Sequence, residues 1–305
     1  METLYDVVIV GGGPAGLTAA LYSRRANKSV LVIEKGSFGG QITYSPKVEN
    51  IPGFSEVTGN EFAEKLVEQV LAQEADVECA EVQKIIPGKP HRVITDSGEF
   101  ESKAIIISTG AKHRLLGLEN EQNLIGEGIS FCAVCDGAFY ENKTVAVIGG
   151  GNSALQEAIL LSDLAKKVYV VQNLDFLTGE KKLQEKLESK DNVEIILSTV
   201  VKSLIGEKEL EGIVLENTNG ESSHLSLDGM FVAIGLIPQN EILKGIVELD
   251  ERGYIISGED TKTSCEGIFA AGDCRTKTIR QVVTAAADGA VASLAAGDYA
   301  DSVIL

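Results

Sequence analysis

The sequence predicts an α/β protein of two Rossmann-like dinucleotide-binding domains, the second inserted into the first. Three observations carry that expectation. The run VVIVGGG at residues 7–13 returns at 145–151 as VAVIGGG. Each copy leads into helical spacing, with Leu17, Ala20 and Leu21 in the first and Leu155, Ala158 and Ile159 in the second. A second apolar run follows each, at 30–33 and 168–171, so each copy completes a βαβ unit.

The remaining elements fit around that repeat. At 305 residues the chain exceeds one typical core, and roughly two domains are expected. Its 32 glycines against 6 prolines suit a fold in which tight strand-to-helix turns recur. Residues 105–108, closed by Thr109 and Gly110, read as a further buried strand, as does GIFAAGD at 267–273. Residues 280–294 have helical composition, weakened at Gly289. These pieces flank the second βαβ unit, so the first domain is expected over 1–114 and 244–305 and the inserted one over 115–243.

Charge and cysteine usage narrow the function. A formal charge of -18 argues against nucleic acid, whose phosphates call for clustered Lys and Arg, and reads as a solubilising surface. No apolar stretch is long enough to span a bilayer, so no membrane association is expected. The chain runs from Met1 to its first apolar run without a basic leader, and five cysteines with one close pair do not resemble a secreted disulfide framework. A cytoplasmic protein is expected.

Gly11, Gly13 and Gly16 form G-x-G-x-x-G directly after a strand, where backbone amides at a helix start can approach a pyrophosphate. Glu34 ends the next strand, placed to accept hydrogen bonds from both hydroxyls of an unphosphorylated ribose. The second loop, Gly149, Gly151 and Ala154, keeps the glycines. At the repeat position of Glu34, however, stands Gln172, followed by Asn173. Neither the carboxylate that suits NAD nor the arginine that suits NADP is there. A 2′-phosphate would forgo charge-assisted hydrogen bonds of about 1.5–3 kcal/mol each. This loop reads either as a weakened nucleotide site or as a fold element whose glycines serve only a turn.

Cys132 and Cys135 form a Cys-x-x-Cys pair, a spacing that lets two sulfurs meet across one helical turn. Half of a zinc site is the alternative, but the other cysteines are isolated and His91, His113 and His224 are scattered. Asp136 is placed to shuttle a proton during disulfide reduction, or else to form a turn beside Gly137. Cys79, Cys265 and Cys274 are expected to pack as small apolar residues.

Over its full length the chain resembles the low-molecular-weight thioredoxin reductases. The motifs are GGGPAG (11–16), FGGQ (38–41), STGA (108–111), CAVCDGAFY (132–140), GGGNSA (149–154), FVAIG (231–235), GIFAAGD (267–273) and RQVVTAAADG (280–289). The resemblance implies a homodimer of FAD/NAD(P)-type domains with FAD as cofactor and thioredoxin as substrate. Cys135 would face the flavin, Cys132 would attack the thioredoxin disulfide, and Asp136 would be the acid. FAD contacts would fall on Gly11, Gly13, Pro14, Ala15, Gly16, Glu34, Gly40, Gln41, Asn50, Thr109, Gly110, Gly272, Asp273, Arg280 and Gln281.

One segment departs from the NADPH-dependent members, which carry H-R-R-x-x-F-R after the second strand of the repeat. Aligned on Phe176, this chain reads Val171, Gln172, Asn173, Leu174, Asp175, Phe176, Leu177, without the arginines. In this it is similar to the clostridial-type, ferredoxin-dependent flavin thioredoxin reductases, which implies ferredoxin as electron donor. From a ferredoxin near about -400 mV to a thioredoxin near about -270 mV, two electrons release about 6 kcal/mol. An acidic ferredoxin would need local cations, such as Lys112, His113 and Arg114 or Lys166 and Lys167. The alternatives are reduction by NAD(P)H through an altered second site and, from a different class, a non-catalytic flavin and disulfide redox sensor.

Overall fold

The computed structural model describes residues 4–45 and 47–304. The chain divides into two compact units, residues 4–45, 51–112 and 237–304 in the first, and 47–50 and 113–236 in the second.

The first unit opens with β1 (Leu4–Val10), α1 (Pro14–Arg25), β2 (Val30–Glu34), α2 (Gly59–Ala72) and β3 (Asp76–Cys79). It continues with β4 (Val82–Ile86), β5 (His91–Thr95), β6 (Glu99–Ile107) and the short β7 (Ala111–His113). The second unit holds β8 (Ile129–Ser130), α3 (Ala133–Asp136), β9 (Thr144–Ile148), α4 (Asn152–Ser162), β10 (Lys167–Val171), α5 (Lys181–Glu188) and β11 (Val193–Ile196). Its remaining strands are β12 (Thr199–Ile205), β13 (Gly212–Asn217), β14 (Ser222–Ser226) and β15 (Gly229–Val232). The chain returns through β16 (Leu236–Pro238), which pairs with β7, and ends in β17 (Ile268–Ala270) and α6 (Val282–Ser302).

The sequence repeat becomes a repeat of topology. In the first unit β3, β2, β1 and β6 lie side by side and parallel. The other edge of β6 pairs antiparallel with β5 through residues 99–102 and parallel with β17 through residues 105–107. In the second unit β11, β10, β9, β15 and β8 form a parallel sheet, and β12, β13 and β14 an antiparallel one. Central strands in such sheets are covered on both faces, which is why Val7, Val8, Ile9 and Val145, Ala146, Val147 are all fully buried. In each unit the glycine loop leaves the strand whose two neighbours run on to opposite sides, the position where open α/β sheets bind ligands.

Several expectations need correction. Residues 237–243, expected in the inserted part, belong to the first unit, because Leu243 packs in one core with Val247, Ile255 and Ile107. Asn50, expected in the first domain, falls with residues 47–50 in the second unit. The last helix runs past 294 to Ser302 and is not interrupted at Gly289. A Cβ there would lie 2.1 Å from the Ala15 carbonyl oxygen, so this glycine lets α6 cross α1 closely. Of the three lone cysteines only Cys274 is buried; Cys79 is exposed on the edge strand β3 and Cys265 is half-buried.

Candidate functional site

The first glycine loop is shaped partly by the protein's own packing and partly not. Gly11 has φ +109°, and a Cβ on it would lie 2.3 Å from the Ser108 carbonyl oxygen, so glycine is obligatory. Gly13 is different. Its φ is -80°, open to any residue, and a Cβ would meet nothing closer than 3.9 Å. Neither backbone nor packing demands glycine there, which leaves close approach of a ligand as its physical reason. Pro14 follows at the first turn of α1, where its missing N–H costs nothing.

Glu34 is held from both sides. Its Oε2 accepts from the Gly12 N–H at 2.7 Å and its Oε1 from the Gly36 N–H at 2.8 Å, and each oxygen keeps a lone pair for a hydroxyl. Residues 38–41 are tied to the loop by the Gly39 N–H, which donates to the Gly12 carbonyl at 2.8 Å. Gly40 approaches Gly13, and Gln41 donates to the Ala111 carbonyl.

Residues from distant parts of the chain join them. Thr109 donates to Asn240 Oδ1 at 3.0 Å, and the buried Asn240 donates in turn to the Gly253 and Cys274 carbonyls. Gly272 donates its N–H to Asp288, whose carboxylate is gripped by Arg275 through two nitrogens and by Lys277. Burial alone would raise the Asp288 pKa, but these cations outweigh it and hold the group low. Asp288 thus clamps the turn that presents Asp273. Asp273 Oδ1 and Arg280 Nε are both buried without a partner among the described residues. Burial raises the Asp273 pKa against the lowering effect of Lys277 and Arg280. Two unspent polar atoms and a glycine cradle with no protein-side reason fit a bound dinucleotide. Gln281 starts α6 and gives its N–H to Thr284 Oγ1.

In the second unit Cys132 and Cys135 form a disulfide, with Cα atoms 5.3 Å apart. Cys132 is the N-cap of the single-turn helix α3, and its Sγ accepts from the Cys135 N–H at 3.2 Å. That places an amide where a thiolate on Cys132 would need one. Ser130 ties the motif together, accepting the Cys132 N–H at 3.1 Å and donating to Asp136 Oδ2 at 2.5 Å. Asp136 Oδ1 is buried with no partner among the described residues. Burial raises the Asp136 pKa, partly offset by the Ser130 hydrogen bond, which favours a carboxyl able to keep and give a proton.

The second glycine loop copies the first in backbone but not in charge. Gly149 has φ +131° and faces the Ala233 carbonyl, whereas Gly151, at φ -85°, has nothing closer than 3.8 Å to a Cβ. Gln172 is buried, lies against Gly150 and donates its Nε2 to the Phe176 carbonyl at 3.3 Å. Asn173, Leu174, Asp175 and Phe176 are exposed. Glu180 accepts from Asn152 at the start of α4, so the segment 171–180 carries two acids and no base.

Two of the cations considered for a docking surface are already accounted for. His113 stacks on Phe131, and burial takes its pKa down to about 4, so it is neutral. Lys167 pairs with Glu194 at 2.9 Å. Ser130, Asn240 and Asp288 are site residues that the sequence reading missed; a hydroxyl two residues before Cys132 is the one local signal for any of them.

The fold and site together define a flavin-type disulfide oxidoreductase, and comparison with known proteins agrees. The family model described as pyridine nucleotide-disulphide oxidoreductase matches residues 5–289. A thioredoxin reductase of Listeria innocua is 40% identical over 305 residues, covering 99% of this chain and 96% of its own. The "34.2 kDa protein in rubredoxin operon" of Clostridium pasteurianum is 40% identical over 301 residues, covering 98% of each. Among solved structures, a thioredoxin reductase from Streptococcus pyogenes superposes with a TM-score of 0.94 at 40% identity, covering 99% of this chain and 100% of the other. The chain belongs to the pyridine nucleotide-disulphide oxidoreductase family and, within it, to the low-molecular-weight thioredoxin reductases. FAD is the cofactor of that family, and the residues of the first glycine loop fit it. Among the described residues no helix is long and apolar enough to cross a membrane.

Proposed function

We propose that this chain, acting as a homodimer, is a thioredoxin-disulfide reductase whose electrons come from reduced ferredoxin and leave through Cys132 and Cys135. Bound FAD would supply an acceptor that takes electrons from the donor and passes a pair to a disulfide. Holding it falls to Gly11, Gly13, Pro14, Ala15, Gly16, Glu34, Gly40, Gln41, Thr109, Gly110, Gly272, Asp273, Arg280 and Gln281. Asn50 remains a contact only by resemblance. Cys132, with the Cys135 amide at its sulfur, attacks the thioredoxin disulfide. Asp136, kept poised by burial, gives a proton to the departing sulfur.

The observation that carries the choice of donor is the segment 171–180. It offers a phosphate no cation, and Gln172 is spent on the Phe176 carbonyl. Thioredoxin reduction in a reconstituted anaerobic assay tests the proposal. Turnover with reduced ferredoxin and little or none with NADPH is expected; efficient turnover with NADPH would overturn the choice of donor.

One observation favours a second reading, reduction by NAD(P)H. Gly151, like Gly13, has an ordinary φ and room for a Cβ that the protein leaves unused. The same assay with NADH as donor separates the two.

A further inference from the structure

We infer that Asp136 and Glu157 work as one carboxyl pair that keeps a proton beside the Cys132–Cys135 disulfide, with Glu157 as its second holder. The inference rests on the thioredoxin-reducing reading above, and it begins from the packing of α4 on the turn that follows the disulfide.

Residues three and four apart share a helix face, so Glu157 lies on the face of Leu160 and Leu161. That face meets Gly137, where a Cβ would be 3.3 Å from Leu160 Cδ2 and 3.4 Å from Leu161 Cδ2. Asp136 immediately precedes Gly137, which sets Glu157, one turn back along α4, towards Asp136. Glu157 Oε2 and Asp136 Oδ1 are both buried and without a hydrogen-bond partner among the described residues. Two acids on neighbouring elements thus each turn an unspent oxygen into the interior.

No cation is among the groups that shift either acid; on the turn that follows Asp136, Lys47 lies over the Phe139 ring and Lys143 over the Tyr140 ring. On α5, which also packs on α4, Lys181, Lys182, Glu185, Lys186 and Glu188 are all exposed. Strands β9 and β15 carry no charged residue, and on β10 Lys167 is paired with Glu194. Tyr140, following α3, is pushed up to about 12 by burial, with Asp136, Asp228 and Glu127 adding to it, and is neutral. Burial first and the Asp136 charge second push Glu157 up to about 8, and burial raises Asp136 as well. The Asp136 charge acts on Glu157, while Asp136 itself is bonded to the Ser130 hydroxyl; two buried carboxyls so placed titrate as a pair, and the second proton leaves late.

The chemistry needs such a proton. When a thiolate of the reduced pair attacks the thioredoxin disulfide, one sulfur–sulfur bond forms and one breaks, and the departing sulfur takes a proton from the pair. As the second cysteine closes the enzyme disulfide and releases the other thioredoxin sulfur, its thiol proton refills the pair. Two electrons and one proton pass to thioredoxin in this way; its second sulfur leaves as a thiolate that takes its proton from water, and the pair ends protonated as it began. Glu157 acts through Asp136 and is a positioning residue.

The test uses dithionite-reduced holoenzyme mixed rapidly with oxidised thioredoxin on either side of about pH 8, in wild type, Glu157→Gln and Glu157→Asp. In wild type the transfer rate is expected to fall above about pH 8. In Glu157→Gln the fall moves to lower pH by about one unit or more, because a lone Asp136 gives up its proton earlier. Glu157→Asp restores part of the difference. Infrared spectra of the wild-type holoenzyme, taken without thioredoxin, should show a protonated carboxyl band that disappears above about pH 8, and in Glu157→Gln the remaining band should disappear at lower pH. Coincident pH profiles for wild type and Glu157→Gln, or no such band, would overturn the pair. Should Glu157→Gln fail to fold, the wild-type band decides alone. A wild-type enzyme that never reduces thioredoxin contradicts the functional reading instead, and the infrared band still reports on the pair.

Discussion

At the end of β1, Gly13 leads into α1 and Glu34 reaches back to the Gly12 amide; at the end of β9, Gly151 leads into α4 and Gln172 turns away to the Phe176 carbonyl. Both first glycines have positive φ, and at both third glycines a Cβ would make only ordinary van der Waals contacts. What has changed is charge. The first loop keeps a carboxylate, Glu34, at the end of its second strand, with Asp273 on a turn held by Asp288, while the second has neither an acid at the repeat position nor a base in the segment that follows. The helices diverge too, since the position of buried Ala19 on α1 is held on α4 by Glu157. A Rossmann unit can therefore keep its backbone while the charge of the side chains around its glycine loop changes.

The largest effect should come from separating the two units chemically. Cys132→Ser is expected to abolish thioredoxin reduction while the protein stays yellow. Loss of the flavin absorbance from that variant would break the division of labour between the units. A matched pair sharpens the comparison further. Gly13→Ala fits the fold sterically but occupies the ligand's approach, so FAD affinity should drop by about 10²-fold with folding preserved. Gly151→Ala should change neither FAD affinity nor ferredoxin-driven turnover. Equal effects at both sites, measured by flavin release and circular dichroism, would mean that the second loop still holds a working nucleotide.

Much of this was legible in the sequence because it rests on local rules. The repeated strand, glycine turn and helix announce two βαβ units, and a Cys-x-x-Cys beside an aspartate announces redox chemistry before any fold is known. What was hidden depends on which elements meet. Residues 237–243 read as part of the insertion, yet their apolar side chains complete the core under β6. Gly289 reads as a helix weakness until α1 is seen to pass 2.1 Å from its missing Cβ. Cys79 reads as a small apolar residue, but β3 is a sheet edge. Glu157 is a carboxylate in an apolar stripe between Ala154 and Leu161; only the packing of α3 on α4 brings it under the influence of the Asp136 charge.

Two smaller effects probe the second unit alone. Gln172→Arg with Asn173→Arg returns cations to the empty clamp, and NADPH-driven turnover should rise by about tenfold, a gain of about 1.4 kcal/mol in binding. No gain in steady-state assays would show that exposed Leu174, Asp175 and Phe176, or Glu180, close the site by other means. Glu157→Gln should also alter stability. Its folded pKa, about 8, lies above the ordinary glutamate value of about 4.5, so the folded state binds more protons between those values and stability falls as pH rises through that window. The glutamine lacks this dependence, so its melting temperature near neutral pH should exceed that of the wild type by about 2 °C or more. Parallel melting curves against pH would contradict that burial.

The central claim is that the second Rossmann unit no longer delivers electrons from a pyridine nucleotide. Anaerobic addition of one equivalent of NADPH to oxidised holoenzyme, followed by flavin absorbance, tests it most directly. The flavin should stay oxidised with NADPH and bleach when reduced ferredoxin is added. Rapid bleaching by NADPH alone would contradict the account.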